Sequence, residues 1–348
     1  MSSITPAPLP AAELVALRNL LMSKPFLTED LIKVEQAIER RHNALLHVVD
    51  PSEPWSGKNR APTRALVVVG PSRSGKTRAM NSALARLKAL QTSEGETVIP
   101  RPLQVNAPEH FTIEALGRAM LNRLKLMPAR SLGPSRTVER LHTRIQIKQP
   151  TIAHIDEAQR MLTPDRVAQH RRDEEQVKNF GQLRALVDLD GWPLPLVLSG
   201  TTELTSILER SDLSFFREIA DVIVMTPMMV GRQSDRDDLD DALAGAAEKV
   251  GMQVDLSGCD DFFDRLILAA NKARGLAFDI CHEAILLAAE VRRKTVSVED
   301  FETFYARKAG CLRAANPFAA TDWHRIDPKA LLAAMSGDKA PKIWEINR

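Results

Sequence analysis

Gly70-Pro71-Ser72-Arg73-Ser74-Gly75-Lys76-Thr77 matches the pattern GxxxxGK[ST]. It follows the apolar run ALVVV at residues 65–69 and precedes a helical pattern, the context that a phosphate-binding P-loop requires. In such a loop the backbone N–H groups curl around the phosphates, and the helix N-terminus adds its positive dipole. Lys76 is expected to reach the β and γ phosphates, and Thr77 to offer its hydroxyl to Mg²⁺. The sequence therefore predicts an ATP–Mg²⁺ site over residues 70–77, with Arg78 beside it.

A second apolar run, TIAHIDE at residues 151–157, ends in two adjacent acids. Ligands of open α/β sheets bind at the carboxyl ends of strands, so this run is typical of a Walker B strand. Asp156 would then hold Mg²⁺ and Glu157 would polarise a water. Either acid alone would equally suit the cap of a following helix. His154 lies inside the strand and is expected to be packed or hydrogen-bonded, not a metal ligand.

A third apolar run, LVLSGTTE at residues 196–203, ends in small hydroxyl residues. If this strand lies between the two Walker strands, its end lies beside the γ-phosphate. Thr201 or Thr202 would then sense that phosphate. Simple turn chemistry at Ser-Gly-Thr-Thr explains the same residues without any such role.

Strands alternate with helices from residue 65 to residue 225. This alternation predicts an α/β fold with a five-stranded parallel sheet that helices cover on both faces. The predicted strands are 65–69, 97–105, 151–155, 194–199 and 222–225. The predicted helices of this part are 76–90, 112–126, 138–147 and 176–189.

The chain divides into four segments by pattern. Residues 1–60 form a helical N-terminal extension, and residues 61–230 form the P-loop core. After Pro227 strand signals stop, and residues 231–310 show helix-period runs that predict an all-helical lid, at 239–250, 262–273, 278–291 and 298–308. Residues 311–348 are a tail with Trp323 and Trp344, which would dock either on the protein itself or on a partner.

The composition excludes several classes of protein. The chain has 348 residues, 44% of them hydrophobic, and a formal net charge of +2, which excludes wholesale disorder and leaves any nucleic-acid surface as a local patch. Its cysteines, Cys259, Cys281 and Cys311, are too few and too scattered for a disulfide framework. No leader or membrane-spanning run is evident, so we expect a cytoplasmic protein with no membrane partner.

Taken together, GPSRSGKT, HIDEAQ, LVLSGTTEL and ERSDLSFFREI resemble the TniB/TnsC group of AAA+ ATPases. These are target-selecting regulators of Tn7-like and Tn5053-like transposons, including CRISPR-associated ones. The resemblance covers residues 62–313. HIDEAQ is the most telling stretch, since the IS21-type helper ATPases and the origin-recognition ATPases share Asp-Glu-Ala followed by a polar residue.

The resemblance implies that ATP binds between neighbouring subunits, with an arginine from one completing the site of the next. Arg217 matches this arginine-finger region, with Arg210 as the second choice. A guanidinium suits the role because it binds phosphate oxygens bidentately. Arg274 matches the sensor 2 position in the lid, with Lys272 as the alternative, because the segment lacks the usual glycine-rich form before the arginine.

The resemblance also implies partners. These are a homo-oligomeric ring or helical filament around double-stranded DNA, a TniQ-like adaptor and a DDE transposase. One basic stretch supports contact with the phosphate backbone of DNA, without recognition of the bases. Runs of charged residues, however, are usually solvated helix faces. Its residues are Arg101, Arg118, Arg123, Lys125, Arg130, Arg136, Arg140, Arg144 and Lys148.

Two other functions share the same motifs. One is a helicase loader or replication initiator, although no recognisable C-terminal DNA-binding domain is evident. The other is a scaffold in which nucleotide only stabilises the fold. An intact set of Lys76, Thr77, Asp156 and Glu157 argues against the scaffold.

Overall fold

The structure is a computed structural model. It describes residues 8–23, 26–56, 58–61, 64–92, 95–126, 133–162, 181, 183, 189, 191–205 and 220–329. Within them, no helix is long and apolar enough to cross a bilayer.

The chain forms two compact units. The core unit comprises Glu29–Pro71 and Lys76–Met225. The lid unit comprises Met1–Thr28, Ser72–Gly75 and Thr226–Arg348.

A five-stranded parallel sheet organises the core unit, in the order β4-β5-β6-β1-β7. Its strands are β1 (Ala65–Val69), β4 (Pro102–Asn106), β5 (Ile152–Asp156), β6 (Leu196–Gly200) and β7 (Ala220–Val224). Strand β6 pairs with β1 and β5, so it lies between the two Walker strands, as the phosphate-sensing hypothesis requires.

Helices of the core unit contact this sheet and one another. They are α2 (Glu29–Ala44), α3 (Lys76–Ala85), α4 (Ile113–Arg123) and α5 (Pro134–Lys148). Every residue of β1, β5 and β6 is buried, as expected for central strands of a parallel sheet with both faces covered. The predicted five-stranded α/β fold is confirmed. The helix predicted over 176–189 lies almost wholly outside the described residues.

The strand predicted over 97–105 is divided in the structure. A short hairpin of β2 (Leu90–Gln91) and β3 (Thr97–Val98) precedes β4. Pro100 lies between β3 and β4 and Pro102 begins β4, and proline cannot donate the ladder hydrogen bond that a continuous strand needs. Strand β4 is the edge of the sheet, where its proline is tolerated.

Helices dominate the lid unit. They are α1 (Ala11–Met22), α6 (Gln233–Lys249), α7 (Phe262–Ala269), α8 (Arg274–Glu290) and α9 (Val298–Ala309). They enclose their own apolar core, in which the rings of Phe262, Phe301 and Phe318 contact one another with centroids 4.8–5.8 Å apart.

The expectation that the lid is all-helical needs one correction. Two short strands, β8 (Gln253–Asp255) and β9 (Thr295–Ser297), pair in parallel. Runs of this length are too short to show the alternation that identifies a strand in a sequence. Ser297 also begins α9 through a capping box with Asp300.

Residues 1–60, which the sequence pattern treats as one extension, contribute to both units. In the lid unit, α1 buries Leu21 in the apolar core, and Arg18 forms an ion pair with Glu283 at 2.8 Å. In the core unit, α2 buries Val34 and Ile38 against the sheet. Each helix therefore belongs to the unit that covers its apolar face.

The described part of the tail packs on the lid unit. Phe318 is buried, and Trp323 donates from Nε1 to Asp261 Oδ2 at 2.6 Å. The Arg265 guanidinium lies 5.4 Å from the centroid of the Trp323 ring. Trp323 thus docks on the protein itself, one of the two expectations for the tail; Trp344 lies outside the described residues.

Arg41 is a buried cation that fastens α2 to the sheet. Its guanidinium donates to the carbonyls of Arg64, Ala65 and Ala37 at 2.9–3.1 Å. It also forms an ion pair at 2.6 Å with Asp221 on β7. Burial lowers the pKa of Arg41, and the Asp221 carboxylate only partly offsets this effect.

We therefore expect Arg41→Met to destabilise the core unit. Methionine keeps an apolar stem but leaves buried carbonyls without donors, a loss of about 2 kcal/mol. The midpoint of urea unfolding measures the loss. Arg40→Met removes the same charge from an exposed neighbour on α2 and is the control. Equal midpoints for the two variants would contradict the anchoring role.

Candidate active site

The P-loop connects β1 to α3. Gly75 has φ +97°, a conformation that L side chains rarely adopt, so glycine is required at this position. Gly70 N–H donates to the carbonyl of Gly200 at 3.2 Å, which ties the start of the loop to the end of β6. Helix α3 begins at Lys76, so its unsatisfied N–H groups and positive dipole end lie at the loop.

Lys76 is the buried cation of the loop. Its Nζ donates to the carbonyls of Gly70 at 2.9 Å and Pro71 at 2.7 Å. Burial lowers the pKa of Lys76, and the nearby carboxylates of Glu157 and Asp156 act in the opposite direction. These two carboxylates therefore favour the ammonium form that a phosphate-binding lysine needs.

Thr77 and Asp156 join the P-loop to the acidic end of β5. Thr77 Oγ1 donates to Asp156 Oδ2 at 2.7 Å. The two residues are 79 positions apart in sequence, and each was predicted independently as a Mg²⁺ ligand. The structure thus brings both predicted metal ligands into direct contact.

Asp156 is an ionised carboxylate under strong restraint. Burial alone would raise the pKa of Asp156, but hydrogen bonds from Ser199, Thr77 and the Glu157 N–H outweigh it and hold that pKa below its usual value. Ser199 Oγ donates to Asp156 Oδ1 at 2.6 Å, and the Glu157 N–H donates to the same oxygen at 2.9 Å. An acceptor-only, charged carboxylate results, which suits a cation ligand.

Glu157 follows at a sharp turn of the backbone. Its φ of +56° and ψ of +35° are left-handed, which is uncommon for a residue with a side chain. Such strained residues cluster at functional sites. The turn ends β5 and starts a short 3₁₀ helix, Ala158–Met161.

Gln159 holds the Glu157 carboxylate. Its Nε2 donates to Glu157 Oε2 at 2.6 Å, while its Oε1 accepts from the Thr201 N–H at 3.1 Å. A backbone N–H can only donate, so the amide orientation of Gln159 is determined: oxygen toward Thr201 and nitrogen toward Glu157. One side chain therefore links the candidate base to the end of β6.

Gly200 makes room for this link. A Cβ at position 200 would lie 2.5 Å from Gln159 Oε1 and 3.2 Å from the Gln159 N. Any larger residue would displace the Gln159 amide. The sequence suggested turn chemistry at this glycine; the structure shows a steric requirement.

The two threonines proposed as phosphate sensors differ. Thr201 contributes its N–H to Gln159, and its hydroxyl lies 3.4 Å from Glu203 Oε2. Thr202 starts a 3₁₀ helix, Thr202–Thr205, and its side chain is exposed. Both lie at the carboxyl end of β6, so both stay candidates.

The sensor 2 candidates lie in the lid unit. Arg274 starts α8, where it forms ion pairs with Asp235, at 2.8 Å, and with Asp238. Lys272 is exposed and has φ +62°. Next to Arg274, a Cβ at Gly275 would lie 2.5 Å from the carbonyl of Arg73, which belongs to the same unit. The backbone at 275 thus requires glycine.

The arginine-finger candidates, Arg217 and Arg210, lie outside the described residues. Arg130 of the basic stretch does too. Arg78, the last residue of the predicted nucleotide-binding set, lies half-buried in the first turn of α3.

The basic stretch, most of which lies on α4 and α5, contains two kinds of side chain: those that bond to other groups of the protein and those that are exposed. Arg118 forms an ion pair with Glu114 one turn earlier on α4. Arg144 donates to the carbonyl of Leu124 at 3.0 Å and so joins α5 to the end of α4. Arg101 donates to the carbonyl of Lys148 at 3.2 Å. The exposed basic side chains here are Arg101, Arg123, Lys125, Arg136, Arg140 and Lys148.

The sequence patterns assigned no role in the nucleotide site to four residues that the structure places there. These are Gln159, Gly200, Ser199 and His154. Gln159 stands in the quoted HIDEAQ stretch, and Gly200 and Ser199 in LVLSGTTEL. The signal was therefore visible, but only the paired strands of the sheet show which side chains meet. His154 is buried and hydrogen-bonded, as expected.

The residues present fit Mg²⁺ and a nucleotide. Thr77 and Asp156 offer a hydroxyl and a carboxylate, which are hard oxygen ligands of the kind that Mg²⁺ prefers. Lys76 and the N-terminus of α3 supply positive charge for phosphates. Within the described residues, no cluster of three or more His, Cys, Asp or Glu side chains suggests another metal centre.

Comparison with known proteins agrees with this geometry. Residues 60–208 match a family described as an AAA domain. The chain has the AAA+ P-loop fold. No curated protein matches the chain.

Solved structures with this AAA+ fold include three archaeal proteins. The Aeropyrum pernix ORC1 protein, solved in complex with DNA, is 20% identical with a TM-score of 0.56, over 86% of this chain and 70% of that one. The Aeropyrum pernix ORC2 protein, solved as ADPNP–ADP complexes, is 12% identical with a TM-score of 0.56, over 83% and 71%. Cdc6p from Pyrobaculum aerophilum is 16% identical with a TM-score of 0.51, over 83% and 70%. At these identities the likeness establishes the AAA+ fold alone, and it does not confirm the resemblance to the TniB/TnsC group.

Proposed function

We propose that this protein is an ATPase that binds double-stranded DNA in its ATP state and leaves it after hydrolysis. One observation carries the proposal: Thr77 of the P-loop and Asp156 at the end of β5 are in hydrogen-bond contact, with Glu157 next to them. Mg²⁺ bound there would neutralise charge on the phosphates. Glu157 would orient and deprotonate the attacking water.

The exposed basic side chains of the α4–α5 hairpin supply the DNA surface of the proposal. Arg136 and Arg140 lie one turn apart on α5, so they share a helix face. Such residues neutralise phosphates without reading bases. Assembly of several subunits on the duplex, with Arg217 or Arg210 completing a neighbour's site and Arg274 or Lys272 sensing the nucleotide, extends the same proposal to a homo-oligomer.

Two biological settings are compatible with this chemistry. Replication initiation or helicase loading is favoured by the ORC1, ORC2 and Cdc6p structures, which share the fold over more than four-fifths of this chain. A cytoplasmic location is part of either setting.

Transposition regulation is the second setting. It is supported by the motifs LVLSGTTEL and ERSDLSFFREI, because the pattern of HIDEAQ is shared with the origin-recognition ATPases. It adds a TniQ-like adaptor and a DDE transposase as partners. Copurification of the protein with a transposase encoded beside it would favour this setting. Copurification with a replicative helicase would favour the first.

The DNA proposal is tested by the fluorescence anisotropy of a labelled duplex, measured with ATP, with ADP and without nucleotide. We expect ATP to increase the affinity. Arg136→Glu with Arg140→Glu should weaken ATP-dependent binding by about tenfold or more and reduce the salt slope by about two. The matched control is Arg40→Glu with Lys88→Glu, which reverses two exposed charges elsewhere in the core unit.

Two outcomes would contradict the proposal. In the first, DNA affinity is the same in all nucleotide states. In the second, the hairpin variant binds as the control variant does, so that α5 is not the DNA surface. Electron microscopy of the ATP sample then shows whether ordered assemblies form on the duplex.

A further inference from the structure

A row of buried polar side chains leads from Asp156 into the sheet. Ser199 Oγ lies 2.6 Å from Asp156 Oδ1, and His154 Nε2 lies 2.8 Å from Ser199 Oγ. Ser199 is fully buried and His154 is 2% exposed. The two residues occupy neighbouring strands, β5 and β6, whose pairing places His154 opposite Val197.

Hydrogen-bond chemistry fixes the direction of this row. The ionised Asp156 carboxylate can only accept, so the single hydroxyl proton of Ser199 points to Asp156. Ser199 Oγ must then accept from His154, which requires the proton on Nε2. Nδ1 of His154 is buried with no hydrogen-bond partner among the described residues, whereas Nε2 faces the Ser199 hydroxyl.

The row restrains one carboxylate oxygen and leaves the other for the P-loop. Oδ1 of Asp156 accepts from both Ser199 and the Glu157 N–H, so the carboxylate is not free to rotate. Oδ2 is directed at Thr77. Without the hydroxyl of Ser199 in its present orientation, Oδ1 would lose one of its two donors.

We propose that His154 and Ser199 are positioning residues that hold the Asp156 carboxylate in the orientation that binds Mg²⁺ beside Thr77. The inference rests on the proposed Mg²⁺–ATP site. His154 acts through Ser199: its Nε2–H fills the acceptor side of the hydroxyl and directs the proton to Asp156. Neither residue touches the nucleotide.

The test compares the nucleotide affinity with and without Mg²⁺. A fluorescent ATP analogue is titrated in EDTA and in Mg²⁺, and the ratio of the two affinities is the Mg²⁺ enhancement. Ser199→Ala and His154→Leu should reduce this enhancement by about tenfold, as loss of a partner behind a metal ligand does. Affinity in EDTA should be unchanged. The electron paramagnetic resonance spectrum of Mn²⁺ in place of Mg²⁺ should change in both variants.

Two further variants separate positioning from stability. His154→Gln places an amide N–H where Nε2–H lies and should retain most of the enhancement. Thr151→Val removes an equally buried polar group at the other end of the same strand, where Thr151 Oγ1 accepts from the Arg101 N–H. It should lower the melting temperature and leave the enhancement unchanged.

The outcomes are distinct. If Ser199→Ala keeps the full Mg²⁺ enhancement and only lowers the melting temperature, the row is structural and the inference is wrong. If His154→Leu does not fold, Ser199→Ala and His154→Gln still test whether the two residues position Asp156. If the unaltered protein binds the analogue without any Mg²⁺ enhancement, the proposed Mg²⁺–ATP site itself fails.

Discussion

Glu157→Gln is expected to bind ATP normally and to reduce phosphate release by about 100-fold or more. Glutamine has nearly the same shape as glutamate but cannot accept the proton of the attacking water. The substitution preserves a hydrogen bond to Gln159, because the new amide oxygen can accept from Gln159 Nε2 as the carboxylate does at 2.6 Å. Local structure should therefore be retained while the chemistry is lost.

A steady-state phosphate assay measures this loss, and binding of a fluorescent ATP analogue confirms that the site is intact. Glu96→Gln is the control, because Glu96 is an exposed carboxylate in the turn between β2 and β3. It should hydrolyse ATP at the normal rate. The Glu157 variant should also stay longer on duplex DNA in ATP, since it cannot leave the ATP state.

Unchanged phosphate release in the Glu157 variant would show that another residue activates the water. No phosphate release from the unaltered protein, with or without DNA, would favour the scaffold hypothesis, in which nucleotide only stabilises the fold. The two results are distinguishable, since only the second also requires the unaltered protein to be inactive.

The arrangement of the candidate nucleotide site could largely be predicted because its residues are adjacent in sequence to strong strand signals. ALVVV, TIAHI and LVLS are continuous apolar runs, and each ends in the polar residues that form the site. In a parallel sheet the carboxyl ends of neighbouring strands meet at one edge, so the site follows once the strands are recognised. The apolar runs do not show the strand order. The position of β6 between β1 and β5 was therefore a premise of the phosphate-sensing hypothesis and not a prediction.

The remaining features depend on contacts that no pattern shows. Arg144 belongs to the basic stretch that the sequence assigns to DNA contact, but its guanidinium donates to the carbonyl of Leu124 at the end of α4. Arg41 follows Val34 and Ile38 at helical spacing, a signal that it shares their buried face, yet its charge obscured that signal. Val254 of β8 and Val296 of β9 pack on the apolar core of the lid unit, a contact that a run of three residues does not show in the sequence.

Gly200→Ala is expected to reduce the hydrolysis rate by about 100-fold without changing ATP affinity, as misplacement of a catalytic group by about 1 Å does. The backbone at 200 does not have a positive φ, so alanine is not strained there; the effect is steric. The new methyl group would lie 2.5 Å from Gln159 Oε1, the end of a flexible side chain, so the Gln159 amide is expected to move.

Once displaced, that amide loses the Thr201 N–H and can no longer hold Glu157 Oε2 in place. Gln159→Leu should produce the same loss of hydrolysis, and the double variant should be no worse than either single one, because both changes break the same link. Gly245→Ala is the matched control: nothing lies within 4 Å of a Cβ there, so alanine should stabilise α6 by about 1 kcal/mol and leave hydrolysis unchanged. If the losses of Gly200→Ala and Gln159→Leu multiply, the two changes do not break the same link, and Gly200 does not act through Gln159. If either variant hydrolyses ATP faster, the contact with Gln159 restrains the base and does not position it for catalysis.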